Sequence, residues 1–139
     1  MTHRHPLRPL FGDVDPMEVV YYGNYLRFFE RGRCELMRAA GGSYRQLADE
    51  EGLHLPVTEA HLRYRQPARY DDPLWVETSV AWLKKASLRF DYRILREDHG
   101  VENTLVTGYT VHACVDKNGR IRPLPAWVPN LLKTYLQSR

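Results

Sequence analysis

The chain has 139 residues, of which 43% are hydrophobic and 27% are charged, a balance that predicts one globular domain and excludes a disordered chain. Its formal net charge is +3, but basic residues alternate with acidic ones, so we expect no nucleic-acid partner. Cys34 and Cys114 match no zinc or redox spacing, and no apolar run is long enough for a signal peptide or a membrane span. We therefore expect no metal ion, no membrane partner and a cytoplasmic location.

The first part of the chain is predicted to be mostly helical. Residues 1–6 are expected to be mobile, and residues 7–12 are predicted to form a short opening strand. Residues 22–40 then have a helical pattern, which Gly41 ends because glycine readily adopts the left-handed conformation that closes a helix. A second, shorter helix is predicted over residues 44–52.

After residue 54 the pattern changes to an alternation of apolar and polar residues, which predicts strands. Four strands joined by short turns are predicted, over residues 55–65, 74–84, 87–97 and 104–116. A helical segment is predicted to follow and to end near residue 137. A long helix followed by sequential hairpins favours an α+β fold, with the helix covering an antiparallel sheet of five or six strands. We expect a single domain over residues 1–139.

The long helix has one apolar face that should pack against the sheet. At 100° per residue this face contains Leu26, Phe29, Gly32, Leu36, Met37 and Ala40. Because Gly32 has no side chain, the sheet could approach the helix closely at that point.

Arg33 falls within the same apolar face, where a charged side chain is costly unless it is paired. One interpretation is structural: Arg33 pairs with Glu30 or extends past the sheet edge. The other is functional, with Arg33 facing a polar site in the core and binding substrate. The periodicity alone favours the structural interpretation. If the helical phase is right, the guanidinium should be mostly buried and bonded to a carboxylate or to backbone carbonyls.

Two carboxylates, Asp13 and Asp15, lie shortly before the long helix. The spacing of Asp15, Pro16 and Glu18 fits a capping box, in which Asp15 would only begin a helix. The alternative is chemical, because a carboxylate beside the free N–H groups of a helix start provides a base or nucleophile and an oxyanion site for acyl transfer. Spacing alone favours the capping box.

Two longer segments support the chemical alternative. The first contains Asp13-x-Asp15-Pro16, Val19-Val20, Tyr21-Tyr22, Tyr25 and Glu30-x-x-Arg33, and the second is Tyr64-Arg-Gln-Pro67-Ala-Arg-Tyr-Asp-Asp72. Together they resemble the signature of the 4-hydroxybenzoyl-CoA thioesterase family, which includes the acyl-CoA thioesterases of the Tol–Pal cluster. The resemblance covers nearly the whole chain. It implies a hotdog fold, in which an antiparallel sheet wraps a long central helix, and assembly into homodimers or homotetramers.

The same resemblance implies that the chain hydrolyses an acyl-coenzyme A without a cofactor, since coenzyme A is part of the substrate. The implied catalytic group is the Asp15 carboxylate, acting as a nucleophile or as a general base. Backbone N–H groups at the helix start would polarise the thioester carbonyl, which corresponds here to Tyr22 and Gly23. Basic hairpin residues would contact the nucleotide phosphates, and these correspond to Lys84, Lys85 and Ser87.

Two positions depart from the family pattern. Glu18 stands where the family commonly has Gly, and Gly23 stands where the Tol–Pal branch has His, so the implied activity rests on Asp15 and the helix start. Two alternative functions remain on the same scaffold. One is a non-catalytic acyl-CoA-binding protein, which the presence of Asp15 disfavours. The other is a hydratase or dehydratase, which usually needs a catalytic His, and no His lies near this helix in the sequence.

Overall fold

The computed structural model describes residues 1–137. A five-stranded antiparallel sheet has the strand order β1-β4-β5-β6-β3, and a small sheet pairs β2 with β7. The strands are β1 (His3–Leu7), β2 (Leu53–His54), β3 (Val57–Tyr64), β4 (Leu74–Leu83), β5 (Ser87–Asp98), β6 (Val101–Ala113) and β7 (Val115–Asp116). The helices are α1 (Tyr25–Ala40), α2 (Tyr44–Glu51) and α3 (Trp127–Leu132). The predicted α+β architecture is confirmed.

Helix α1 packs its apolar face on the sheet, as predicted. Gly32 is the point of closest approach, because a Cβ atom there would lie 2.5 Å from Thr78 Oγ1 and 2.8 Å from Val76 Cγ2. Leu26, which was predicted to belong to this face, is 40% exposed. The buried face is therefore rotated slightly from the prediction, and it consists of Tyr25, Phe28, Phe29, Gly32, Leu36 and Met37.

The predicted C-terminal ends of the two helices are confirmed, whereas α1 begins at Tyr25, after a 3₁₀ turn over Tyr22–Asn24, rather than at residue 22. Gly41, with φ of 105°, closes α1 in the left-handed conformation, and Gly52, with φ of 64°, does the same for α2. Ser43 begins α2, since its hydroxyl accepts a hydrogen bond from the Gln46 N–H at 2.9 Å. The C-terminal helix is shorter than predicted, because α3 ends at Leu132 and a 3₁₀ turn follows it.

The opening strand lies earlier in the chain than predicted. Residues 7–12 do not form a strand; β1 covers His3–Leu7 and pairs with β4, from His3 opposite Thr78 to Leu7 opposite Leu74. It therefore includes most of the segment, residues 1–6, that was expected to be mobile. This strand has no apolar alternation of its own, and its position depends on the edge that β4 offers. Within residues 1–137 no helix is both long and apolar enough to cross a membrane.

Candidate active site

Residues 13–21, here called the Asp15 loop, form a tight hairpin ahead of α1. Inside it, the Asp15 N–H donates to the Val19 carbonyl at 2.9 Å. The second half of the loop is also bonded to a residue outside the loop, because the Val20 N–H donates to the Ala68 carbonyl at 2.8 Å. The loop is therefore fixed on both sides and holds Asp15 at a defined place before the helix.

The half-buried Asp15 carboxylate has one anchored oxygen and one free oxygen. Its Oδ1 atom accepts hydrogen bonds from the Met17 N–H at 2.8 Å and the Val19 N–H at 3.4 Å. Within the described residues 1–137, no donor reaches Oδ2 and no cationic side chain pairs with the carboxylate. The turn thus orients the side chain while leaving one oxygen available for a substrate or a water molecule.

The capping-box interpretation of Asp15 is wrong. Helix α1 begins only at Tyr25, and Glu18 has a φ of 63°, a left-handed value that a right-handed helix does not contain. The Asp15 carboxylate therefore stabilises a turn rather than a helix start. The local spacing was ambiguous because carboxylate-to-N–H bonds close turns and cap helices in the same way.

Glu18 adopts the backbone conformation that favours glycine, although it carries a full side chain. We expect Glu18→Gly to raise the free energy of unfolding by roughly 1 kcal/mol, because the cost of a left-handed conformation for a residue with a Cβ atom disappears. Urea unfolding measures this change. Glu18→Ala is the matched control, since it shortens the side chain but keeps Cβ. Equal stabilities for the two variants would show that the backbone is not strained there.

The start of α1 presents two N–H groups that have no acceptor within the protein. A 3₁₀ turn over Tyr22–Asn24 precedes the helix, and it is closed by a bond from the Asn24 N–H to the Tyr21 carbonyl at 2.8 Å. In the part of the chain that the structure describes, the N–H groups of Tyr22 and Gly23 donate to no acceptor. Free N–H groups at a helix start form a site for developing negative charge.

A pocket of about 260 Å³ lies beside this helix start. One of its walls is held in place by the Tyr64 hydroxyl, which donates to the Tyr22 carbonyl at 3.2 Å. Asp15 does not line this pocket, and it belongs to the adjoining loop, which reaches the pocket at Val20. The lining residues are Val20, Tyr22, Tyr25, Tyr64, Arg65, Gln66 and Pro67. Residues 64–67 were not predicted as site residues, although the segment resembling the thioesterase family contains them.

The basic hairpin lies far from this pocket within one chain. Lys84 and Lys85 are exposed in the β4–β5 turn, where the Lys84 N–H donates to the Ser87 carbonyl at 2.8 Å. Ser87 pairs with Ala113 on β6, and Tyr64 pairs with Val106, seven residues away along the same strand. The separation is about 23 Å, at about 3.3 Å per strand residue. One chain therefore does not bring the predicted phosphate-binding residues next to the pocket.

Arg33 is partly buried, but its bonding partner differs from the prediction. Its Nη1 atom donates to the Tyr92 hydroxyl at 3.4 Å, so the predicted carboxylate or carbonyl partner is wrong. Within residues 1–137 it forms no ion pair, and the alternative pairing with Glu30 is absent. Tyr92 comes to Arg33 through the packing of α1 on β5, which local periodicity does not reveal.

A directed chain of hydrogen bonds continues from Tyr92 through the sheet. The Tyr92 and Thr110 hydroxyls are 2.6 Å apart, Thr110 Oγ1 is 2.8 Å from His112 Nε2, and His112 Nδ1 is 2.8 Å from the Leu55 carbonyl. Because that carbonyl can only accept, Nδ1 carries the proton and Nε2 accepts from Thr110. Burial lowers the pKa of His112 to about 4, partly opposed by the bond to the Leu55 carbonyl. His112 is therefore a neutral structural histidine.

No cluster of three or more His, Cys, Asp or Glu side chains arranged for a metal ion occurs within residues 1–137. The reactive groups of this region are the free oxygen of Asp15 and the unbonded N–H groups at the start of α1, which the Asp15 loop precedes. Such a pair can attack, or direct water at, an activated carbonyl while stabilising the oxyanion that forms.

The chain is similar to known thioesterases along most of its length. The family model of the thioesterase-like superfamily matches residues 9–132. The acyl-CoA thioesterase YbgC of Haemophilus influenzae is 37% identical over 121 residues, which cover 86% of this chain and 84% of the relative. The crystal structure of a probable thioesterase from Bartonella henselae is 32% identical and has a TM-score of 0.83, covering 90% of this chain and 100% of that chain.

The fold is also that of an enzyme solved with its acyl-coenzyme A. A mutant 4-hydroxybenzoyl-CoA thioesterase complexed with 4-hydroxybenzoyl-CoA has a TM-score of 0.86 and 23% identity, covering 94% of this chain and 98% of that chain. At this identity the likeness supports the fold alone. The predicted hotdog fold is confirmed.

Proposed function

The chain belongs to the thioesterase-like superfamily and is an acyl-CoA thioesterase, and on this premise we propose that Asp15 is its catalytic group. The observation that carries this proposal is the asymmetry of the Asp15 carboxylate. One oxygen is anchored by the Met17 N–H, while the other is free in a loop that leads to the unbonded N–H groups of Tyr22 and Gly23.

The proposed reaction uses these groups to transfer the acyl group from coenzyme A to water. The thioester lies across the start of α1, where the N–H groups of Tyr22 and Gly23 donate to the carbonyl oxygen as it becomes negative. Asp15 then either attacks the carbonyl carbon, which gives a mixed anhydride and releases coenzyme A thiolate, or removes a proton from an attacking water molecule. In the first route a water molecule then hydrolyses the anhydride and regenerates the Asp15 carboxylate. Both routes end in the free acid and coenzyme A.

A thiol-release screen over acyl-coenzyme A thioesters tests this function. The panel should include aromatic, short-chain and medium-chain acyl groups, and we expect free thiol and free acid in equal amounts from at least one of them. Tight binding without thiol release from any of them would favour the non-catalytic alternative. A product with a changed double bond and an intact thioester would favour the hydratase or dehydratase alternative.

We propose that two chains pair through β3. This strand is at an edge of the sheet, and nearly all of its residues are exposed, an arrangement that proteins rarely leave open because it invites further strand pairing. Antiparallel two-fold pairing of β3 brings the Val57 end of one strand to the Tyr64 end of the other. The Lys84–Lys85 turn of one subunit then approaches the pocket of its partner. The resulting homodimer is either the whole assembly or half of a tetramer.

This pairing predicts a complementation result for the basic hairpin. Reversing the charge at Lys84 and Lys85 should raise KM for acyl-CoA more than it lowers kcat, because the phosphates lie far from the reacting carbon. Added salt should reduce the effect, since exposed charges are screened. If the phosphate site crosses the interface, co-expression of this variant with Asp15→Asn should give mixed dimers in which one of the two sites combines a normal Asp15 with normal lysines. With random pairing of the chains, roughly a quarter of all sites would then function normally.

Two outcomes would contradict the shared site. If the lysines served the Asp15 of their own chain, every site in the mixed dimer would contain a defect and no sites with normal KM would appear. If the charge-reversed variant alone had normal KM, the lysines would be ordinary surface residues. Light scattering on both variants controls for loss of the dimer.

We also propose a cytoplasmic location. Cys34 and Cys114 are both free thiols, and Cys114 is buried. Burial raises the pKa of both thiols, which keeps them protonated and unreactive. Two unreactive free thiols are compatible with the reducing compartment expected from the sequence.

A further inference from the structure

A second pocket, of about 330 Å³, lies farther along α1, at Glu30 and Arg33. Arg33 and Tyr44 line it together with Leu55 and Val57, and we call it the Arg33 pocket. Because Val57 is the first residue of β3, the proposed two-fold pairing brings this pocket next to the Tyr64 end of the partner subunit. An acyl group attached to a thioester at the partner's helix start can therefore extend into it.

Two hydrogen-bond donors in this pocket have no adequate acceptor. The Tyr44 hydroxyl is buried, and its O–H donates to no acceptor within residues 1–137. Burial raises the pKa of Tyr44 far above its usual value, and the neighbouring Arg33 guanidinium only partly opposes this effect. Arg33 itself has one long bond, to the neutral Tyr92 hydroxyl. An unmatched buried donor and an unpaired cation are both unfavourable, so the pair favours an acceptor between them.

The hydroxyl and imidazole groups that follow Arg33 in the hydrogen-bond series cannot neutralise its charge. The hydroxyls of Tyr92 and Thr110 and the ring of His112 pass their hydrogen bonds along one direction to the Leu55 carbonyl, and each of them is uncharged. This series of hydrogen bonds keeps the Tyr92 hydroxyl oriented as an acceptor for Arg33, and so it orients the guanidinium. Its positive charge is paired with no carboxylate among the described residues.

We infer that the Arg33 pocket binds a carboxylate at the far end of the acyl group, so that the preferred substrates are monothioesters of dicarboxylic acids. This inference rests on the proposed function. A carboxylate accepts hydrogen bonds from the guanidinium and from the Tyr44 hydroxyl, and it also supplies the missing negative charge. A water molecule would satisfy Tyr44 but would leave the charge of Arg33 unpaired.

Glu30 is the acidic residue that opposes this inference, since it also lines the pocket. Its side chain is exposed at the rim, and among the described residues no ion pair links it to Arg33. Solvent weakens its repulsion of a bound carboxylate. Replacing Glu30 should therefore strengthen carboxylate binding, whereas replacing Arg33 or Tyr44 should weaken it.

A matched pair of six-carbon substrates tests the inference. Adipoyl-CoA and hexanoyl-CoA differ only in a terminal carboxylate against a methyl group. We expect the wild-type protein to prefer adipoyl-CoA in kcat/KM by roughly tenfold or more, the size of a charge-assisted hydrogen bond. Arg33→Gln should lower kcat/KM for adipoyl-CoA more than for hexanoyl-CoA and so remove the preference. Tyr44→Phe should reduce the preference, and Glu30→Gln should increase it.

A binding measurement separates this inference from the proposed function. Thioether analogues of the two substrates cannot be hydrolysed, so calorimetry reports their affinities whether or not the protein is a catalyst. Preference for the adipoyl analogue that disappears in Arg33→Gln supports the inference even if no thioester is cleaved. Equal affinity for the two analogues, or a preference that survives in both Arg33→Gln and Tyr44→Phe, would overturn it. Tyr44→Phe removes one oxygen atom only and guards against misfolding of the Arg33 variant.

Discussion

Asp15→Asn should lower kcat for thiol release by at least roughly a hundredfold, because a neutral amide is neither a nucleophile nor a base. The structure predicts that the fold survives this change. The amide oxygen of Asn can keep the hydrogen bond from the Met17 N–H, so the Asp15 loop retains its turn. Urea unfolding should show a stability within about 1 kcal/mol of the wild-type value. Affinity for acyl-CoA should hold or improve, since a charge near the thioester has been removed.

Asp13→Asn is the matched control, because Asp13 lies in the same loop with its carboxylate engaged elsewhere. Its two oxygens accept from the Leu10 N–H at 2.8 Å and from Arg27 Nη1 at 3.1 Å. The neutral variant loses this ion pair, so we expect a stability loss of about 1 kcal/mol and only a small loss of kcat. Near-normal thiol release by Asp15→Asn, or equal kinetic losses in both variants, would remove Asp15 from the catalytic role.

Gly108→Ala should lower the free energy of unfolding by roughly 3 kcal/mol, the largest stability effect that we expect from a single methyl group here. A Cβ atom at this position of β6 would collide with the backbone carbonyl of His61 on β3, and it would lie 2.7 Å from Phe29 Cε2. A backbone atom in a paired strand cannot move aside cheaply. The intrinsic gain of alanine over glycine in a strand is only about 0.5–1 kcal/mol, so the collision dominates.

The ring of Phe29 has no room to move away from this collision. It is fully buried and stacks on Tyr92 with ring centroids 4.2 Å apart. Gly12→Ala is the matched control, since nothing lies within 4 Å of a Cβ atom there. The measurement is urea unfolding of both variants, in which the midpoint urea concentrations are compared while the dependence of the unfolding free energy on urea concentration stays the same. Equal stability of Gly108→Ala and Gly12→Ala would mean that α1 does not pack as closely on the sheet as described.

The Gly108 variant also bears on the Arg33 pocket. Displacement of Phe29 would shift Tyr92, which holds the Arg33 guanidinium through a hydrogen bond. If a folded population remains, we expect its preference for adipoyl-CoA over hexanoyl-CoA to fall more than its total activity.

The sequence by itself determined the elements whose patterns are local. Helices α1 and α2 follow from the helical period and from glycines that can adopt a left-handed conformation, as Gly41 and Gly52 do. Strands β4, β5 and β6 follow from alternation and from short turns, because neighbouring strands in a hairpin need no distant information. Gly32 was also identified correctly, since a helical face is defined by residues within a few turns of one another.

The tertiary structure decided the features that depend on distant residues. Strand β1 takes its place from the free edge of β4, so the pattern of residues 7–12 was misleading. The spacing of Asp15 fits both a helix start and a turn, and the bond between the Val20 N–H and the Ala68 carbonyl selects the turn. Arg33 meets Tyr92 only because α1 packs across β5. These contacts are set by strand register and by the packing of the helix on the sheet, and neither leaves a periodic signal in the sequence.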